Sequence, residues 1–385
     1  MIVIRDIIVE EFSESGRVEV QVSLNDKLEN LYYQTNFKLD KIIESDLWNA
    51  AIIALLPLSF ENNWNIKSNG IIDETLKDGL INELFPVMKQ AYTTDFTPLL
   101  DVESQHFSPC LMNNQTATGL SCGVDSFATI FSKQKELSAL TFFDAGSHGK
   151  NFQQKTDSIR QHRFSNVELV ASKLKMPLYT VTSNLSNFTK AKFQDNHAFL
   201  QLSCAHLLCG ICNVYHYSTG QKNDYLDRHE LDFIYINNFL TPALSSGRLK
   251  IKTSLGTLTR FQRTYIISEQ KIPQQHLDVC VDPFKVIDQG LINCSGCDKC
   301  LRTQLALKIQ GNYESFSSVF NEQIYNVKIS RYIAFLKFTR KKNVLNGELY
   351  DLAVINGLID VRVRMEFVKL NWNNFKKILK KKIRD

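Results

Sequence analysis

The chain has 385 residues, 44% of them hydrophobic and 22% charged, with a formal net charge of +5. Such usage fits a folded protein of two or three compact units and excludes a disordered chain. A charge this mild does not by itself imply nucleic acid, and the longest apolar run, residues 50–58 with Pro57 inside it, is too short to span a bilayer.

The first residues, Met1-Ile2-Val3-Ile4-Arg5-Asp6, carry charges where an export signal needs apolar residues. The nine cysteines are therefore expected to stay reduced, in a cytoplasmic protein. Residues 2–9 and 17–24 read as strands, the second through Val18, Val20 and Val22 alternating with Glu19 and Gln21. Residues 46–56 read as a helix with Asp46 as its cap. Residues 73–92 read as a longer helix, with Leu76, Leu80, Leu84 and Val87 on one face and a kink before Pro86. Residues 1–110 thus form an expected α+β unit in which nothing converges on chemistry.

From Thr116 the pattern becomes strand–helix alternation: strands over 116–120, 140–143 and 177–181, with helices over 125–137 and closing at 167–175. This predicts a parallel sheet flanked by helices across residues 111–310, with ligands beyond the carboxyl ends of its strands. Residues 197–212 read as a buried apolar helix. Cys209 and Cys212 have redox-motif spacing, but with Cys204 they are better read as core. Residues 311–385 form a basic helical region. Its last helix, with Lys376, Lys377, Lys380, Lys381, Lys382 and Arg384, reads as packed on the body rather than as a nucleic-acid platform.

Two clusters carry chemistry. Ser121-Cys122-Gly123-Val124-Asp125-Ser126 joins a strand to a helix. Small residues there let backbone N–H groups approach phosphate oxygens, the helix N-terminus adds partial positive charge, and Asp125 is a candidate Mg²⁺ ligand. The loop has no Gly-Lys-Ser/Thr ending, so it is not a Walker A cradle. An ordinary strand–turn–helix corner is the competing reading. The second cluster is Cys294-Ser295-Gly296-Cys297-Asp298-Lys299-Cys300 with Cys280 upstream, a candidate closed Cys₄ zinc site of structural type. Arg302, and the pair Arg260 and Arg263, are candidate contacts for an anionic substrate, with solvated helix faces as the alternative.

These residues resemble the PP-loop ATP pyrophosphatase superfamily, whose signature is Ser-Gly-Gly-x-Asp-Ser, and within it the cyano-deazaguanine synthase branch. The likeness covers about residues 115–310 and is carried by Gly123-Val124-Asp125-Ser126 and the cysteine cluster. It implies a Rossmann-like sheet of the adenine nucleotide alpha hydrolase kind, with ATP, Mg²⁺ and Zn²⁺ as cofactors. It implies nucleotide contacts at Leu120, Ser121, Cys122, Gly123, Val124, Asp125, Ser126, Phe143, Gly146 and His148, with Asp125, Ser126 and Ser121 in the chemistry. The zinc ligands would be Cys280, Cys294, Cys297 and Cys300. The implied reaction is adenylation of a small-molecule or peptide carboxylate, releasing pyrophosphate, followed by displacement of AMP by a nitrogen nucleophile. ATP-dependent sulfur transfer and a non-catalytic nucleotide-binding module are the alternatives. A homodimer is kept open, and nucleic acid is the less favoured partner. Cys122 stands where the family has its first Gly. Either a small side chain is tolerated there, or Cys122 is a reactive thiol with a lowered pKa; the first is the preferred reading.

Overall fold

A computed structural model describes the chain except residues 109–114, 148–153, 191–192, 221, 223–239, 282, 285–289 and 383–385. Internal contacts divide the chain into two compact units, one of residues 1–121 and 129–257, the other of residues 122–128 and 258–385.

The first unit is built on one ten-stranded, mostly parallel sheet with helices, an α/β architecture. Strands β1 (Ile2–Glu11), β2 (Gly16–Leu24) and β3 (Lys27–Thr35) form an antiparallel meander. Val18, Val20 and Val22 are buried, as their alternation with polar residues predicts. Helix α1 (Glu44–Asn62) is buried from Ser45 to Phe60, which explains why its apolar residues show no single-faced stripe. Asp46 is not its N-cap. Ile43 holds that position, and Asp46 reaches back from the first turn to accept the Ile43 N–H at 3.2 Å. Asp46 thus serves the helix N-terminus from inside the first turn rather than from the cap position.

The segment expected as a helix over 73–92 with a kink before Pro86 is helical from Glu74 to Ala91, and its hydrogen-bonding pattern changes along the way. Strand β4 (Ile66–Asp73) ends where the Asp73 side chain accepts the Thr75 N–H at 2.8 Å and caps α2 (Glu74–Asp78). A π-helical stretch, Gly79–Leu84, then leads without a gap into α3 (Phe85–Ala91), so the change of hydrogen-bonding pattern falls just before Pro86, which has no N–H to give the ladder. Strand β5 (Leu100–Gln105) pairs parallel with β4.

The alternation from Thr116 yields β6 (Thr116–Gly119), α4 (Val124–Lys133), β7 (Ala139–Asp144), α5 (Gln154–Leu174), β8 (Leu178–Ser183), α6 (Phe193–His206), β9 (Val214–Ser218) and β10 (Lys250–Ser254). The sheet order is β10-β9-β6-β7-β8-β3-β2-β1-β4-β5. The five strands β10, β9, β6, β7 and β8 are all parallel, and β3 pairs antiparallel with β8. Two asparagines bind that seam. Asn36 accepts the Thr180 N–H at 2.7 Å and donates to Leu178 O at 3.0 Å, while Asn184 accepts the Tyr32 N–H at 2.9 Å and donates to Asn30 O at 2.9 Å. Helices α1 and α6 meet through polar as well as apolar contacts. Ser203 Oγ donates to Ala50 O at 2.8 Å and lies 2.7 Å from Tyr33 Oη. Cys204, Cys209 and Cys212 are all buried in this core, and burial pushes the Cys212 thiol up to about 12. They pack rather than react.

In the second unit, α7 (Arg260–Ser268), α8 (Lys271–His276), α9 (Asp298–Ile309), α10 (Glu322–Thr339), α11 (Val344–Ile355) and α12 (Val361–Lys382) follow in chain order. Leu301, Leu305, Tyr332, Leu336, Leu349, Tyr350 and Val363 share one apolar cluster. The lysine side chains of residues 376–382 and Arg384 lie outside the described residues. No helix among the described residues is long and apolar enough to cross a membrane.

Glycine is required at one crossing of α1 and β4. A Cβ at Gly70 would stand 1.9 Å from the Trp48 indole. Gly70→Ala is therefore expected to destabilise the protein by about 1–3 kcal/mol through overpacking. A lower urea midpoint at unchanged slope would register this.

Candidate functional site

The loop after β6 begins in the first unit and turns in residues that belong by contact to the second. Leu120 donates its N–H to Thr141 O at 2.8 Å, so the chain leaves β6 still tied to its parallel neighbour β7. Cys122 then takes a left-handed conformation, φ +56°. That is the geometry for which glycine is the low-energy choice, and a Cβ there costs about 1–2 kcal/mol. Gly123 O accepts the Phe127 N–H at 3.0 Å and the Ser126 hydroxyl at 3.1 Å, closing the first turn of α4. Cys122 O accepts the Asp278 N–H at 2.8 Å. Its thiol is buried, and burial first, with the Asp278 charge second, pushes it well above the usual thiol range. This corrects the reading of Cys122 as an activated thiol. Position at a helix start does not lower a pKa when the sulfur points away from solvent and toward a carboxylate.

Asp125 lies in the first turn of α4 and is held by two arginines from α7. Thr259 caps α7 by accepting the Gln262 N–H at 3.2 Å, and Gln262 returns the bond by accepting the Thr259 N–H at 2.9 Å. This capping box sets the start of the helix, so Arg260 and Arg263, three residues apart, share one face. Asp125 Oδ1 accepts from Arg263 Nη1 at 3.1 Å, and Oδ2 accepts from Arg260 Nη1. The Arg263 side chain is 0% exposed. The reading of this pair as a solvated helix face is therefore wrong: a buried guanidinium needs an anion, and Asp125 supplies it. Arg260 is held below the usual arginine range by its burial, against the pull of Asp125, and also by the charges of Arg302 and Arg263. Nothing in the spacing of the arginines joins them to Asp125, which lies 135 residues before Arg260. The available signal was the Thr-x-x-Gln box followed by arginines on one helical face.

Of the remaining expected nucleotide contacts, Ser121 and Phe143 lie at the carboxyl ends of the adjacent parallel strands β6 and β7, and Phe143 is buried. Gly146 follows with φ +107°, a conformation that favours glycine. His148 lies outside the described residues.

The four cysteines come together. The sulfurs of Cys280, Cys294, Cys297 and Cys300 all lie within 4.8 Å of one another. A tetrahedral zinc with bonds of about 2.3 Å would set its sulfurs about 3.8 Å apart. The Cys297–Cys300 and Cys294–Cys300 separations of 3.4 and 4.0 Å fit it. Asn293 aligns the two segments, donating to Leu277 O at 2.7 Å and accepting the Val279 N–H at 2.9 Å. Ser295 turns the chain with φ +56°, and α9 then carries Cys300 inward. Hydrogen bonds from Cys280 draw Cys294 down and Cys297 down to about 6, and the same thiol network holds Cys280 and Cys300 up. Four sulfurs sharing protons in this way form a set that a cation can bind by replacing them. No family model, curated protein or solved structure matches the chain.

The purified protein is expected to contain about one zinc per chain by elemental analysis, with no visible iron–sulfur absorption. Cys297→Ser should lose the metal and much of the soluble yield, because binding at a structural site is folding energy. Full yield and full thermal stability of a zinc-free Cys297→Ser protein would show that the cluster does not hold a structural metal.

Proposed function

We propose that the chain is a PP-loop ATP-dependent enzyme that activates a carboxylate as an acyl-adenylate. The observation that carries this reading is the position of the Ser121–Ser126 turn. It leaves the carboxyl end of β6, the strand at which the parallel order reverses, with β7 and β8 on one side and β9 and β10 on the other. In open parallel sheets such a switch point is where ligands bind. The left-handed Cys122, the first-turn Asp125 and the arginines facing it add an anion-directed constellation at the start of α4. The resemblance to the adenine nucleotide alpha hydrolase fold and to the cyano-deazaguanine synthase branch belongs to the same proposal.

In this reading a substrate carboxylate oxygen attacks the α-phosphorus of ATP and pyrophosphate leaves with its electron pair. A nitrogen nucleophile then attacks the activated carbonyl carbon, expelling AMP and losing a proton. The residues of the turn position the phosphates and stabilise charge on the leaving group. Asp125 is the candidate residue to hold Mg²⁺, which would offset the negative charge that develops on the leaving pyrophosphate. Zinc on the four cysteines, all four coordination positions filled, would support structure rather than chemistry. Sulfur transfer through Cys122 finds no support, because its thiol is buried and held protonated.

The test is where ATP is cut. With α-labelled ATP, Mg²⁺ and a panel of carboxylates and amines, the products are expected to be AMP and pyrophosphate. Predominant ADP would refute the proposal, as would the absence of any AMP across the panel. Asp125→Ala should lower turnover by at least about a hundredfold, the usual scale for loss of one charge-stabilising group. Cys122→Gly relieves the left-handed backbone, so it should retain or raise AMP release; a collapse with ATP binding preserved would mean that the thiol is used.

A further inference from the structure

We propose that the outer face of α12 is a docking seam for an acidic amphipathic helix of a partner protein. The seam does not involve the Ser121–Ser126 turn, so it stands or falls apart from the ATP-dependent reading.

Helix α12 (Val361–Lys382) carries apolar residues on two faces. One face is used within the second unit. Val363 is buried, and Phe367 and Leu370 pack against the apolar cluster that includes Tyr332 and Leu336. The Lys337 ammonium of α10 lies 4.1 Å from the centre of the Phe367 ring. These contacts fix the helix and so set which way its other residues face. The second face is turned to solvent: Val361 is 69% exposed, Met365 56%, Val368 66% and Trp372 57%. Steps of four, three and four residues put these side chains within a sector of about 60° on a helix of 3.6 residues per turn. Apolar side chains scattered singly over a surface need no explanation, whereas a row of them marks a contact.

Width and spacing identify what fits the row. A helix that buries a broad face shows an apolar stripe of about 100° or more, and a strict alternation of three and four is the narrower seam with which one helix receives another. The row therefore suits a single helix better than a lipid surface. The charges beside it select the partner. Arg362, Arg364 and Lys369 are exposed on its two flanks, the positions that set partner choice in a coiled coil. Glu366 pairs with Lys369 at 2.6 Å, but from farther round the helix, so the flanks themselves are basic. A second copy of the chain would bring Arg364 against Lys369 in a parallel pairing, or against another Arg364 in an antiparallel one, and like charges so placed repel. A helix with Glu at these positions meets opposite charge on both sides. The same spacing continues in the sequence at Phe375 and Leu379, with Lys376 and Lys380 beside them.

Trp372 is a built-in reporter, because Trp48 is buried and Trp64 half-buried. The probe is a synthetic, tryptophan-free peptide of four heptads with Ile and Leu along its seam and Glu on both flanks. Its two counterparts carry Lys on the flanks, or the Glu peptide's composition in scrambled order. With the full 385-residue chain at low salt, the Glu peptide should shift tryptophan emission to shorter wavelength, and Trp372→Phe should remove the shift. The Glu peptide should bind at least about tenfold tighter than either counterpart, and more weakly as salt is raised. Met365→Ser with Val368→Ser leaves the charge unchanged and should weaken binding at least about tenfold, the scale of losing buried apolar surface. Arg362→Glu, Arg364→Glu and Lys369→Glu together should reverse the preference toward the Lys peptide. All of the substituted residues are exposed, so each variant should keep the wild-type circular dichroism. Equal binding of the Glu peptide and either counterpart would overturn the proposal, as would full affinity in the double serine variant. So would a Trp372 shift with vesicles of phosphatidylserine and phosphatidylcholine but not with the Glu peptide, which would make the row a lipid-facing surface. Self-association seen by sedimentation and abolished by the double serine variant would assign the row to a second copy instead.

Discussion

The carboxylate of Asp125 between Arg260 and Arg263 ties the turn at the head of α4 into the second unit. It joins a short segment, residues 122–128, to helices that follow it in the chain by well over a hundred residues. Removing one member of a buried ion pair costs about 3–5 kcal/mol because the other charge is left uncompensated. The fully buried Arg263 therefore demands that the turn stay in place, and the turn in turn keeps Cys122 in its left-handed conformation. Backbone strain at Cys122 and ionic pairing at Asp125 are two sides of one constraint. Local conformational cost is met by a long-range electrostatic contact.

The first unit has a different logic. Its sheet is assembled from a parallel half and a half that begins as an antiparallel meander, and the join is the β3–β8 pairing. Strand edges are exposed rows of donors and acceptors, so two sheets sharing an edge satisfy each other. Asn36 and Asn184 extend that pairing with side-chain bonds beyond the ends of the ladder. Buried contacts between α1 and α6 then cover the joined surface. Helix α1 is buried from Ser45 to Phe60, with Pro57 in its interior and the buried polar side chains of Asp46 and Asn49 bonded outside the helix, to Arg248 and to the Asp73 N–H.

Cysteine shows how one residue type serves opposite ends by environment alone. Cys204, Cys209 and Cys212 are core side chains whose thiols stay protonated through burial. Cys280, Cys294, Cys297 and Cys300 share protons around a common centre and present a metal-ready set. Cys122 belongs with the first group in chemistry, although it sits in the turn at the head of α4. Spacing alone does not separate these cases. Cys209 and Cys212 have the same two-residue gap as Cys294 and Cys297, and only the surroundings of each pair distinguish them.

Elements with strong local signals were legible in the sequence: the alternating β2, the strand–helix succession from β6 to β8, and the three clustered cysteines. Each follows from the period of apolar residues or from the reach of neighbouring side chains, which are properties of adjacent residues. The turn at Ser121–Ser126 was legible as a candidate for the same reason, through its small residues between a strand and a helix. Strands β3, β4, β5 and β10 were not, because their stability comes from partners distant in sequence. The helical run from Glu74 to Ala91 and the irregularity before Pro86 were legible too, whereas the π-helical form that Gly79–Leu84 takes was not. The charge state of Cys122 and the pairing of Asp125 with Arg260 and Arg263 were decided by the tertiary structure alone. Burial and long-range charge are set by residues that folding brings together, and no local pattern in a chain encodes how far a side chain will stand from water.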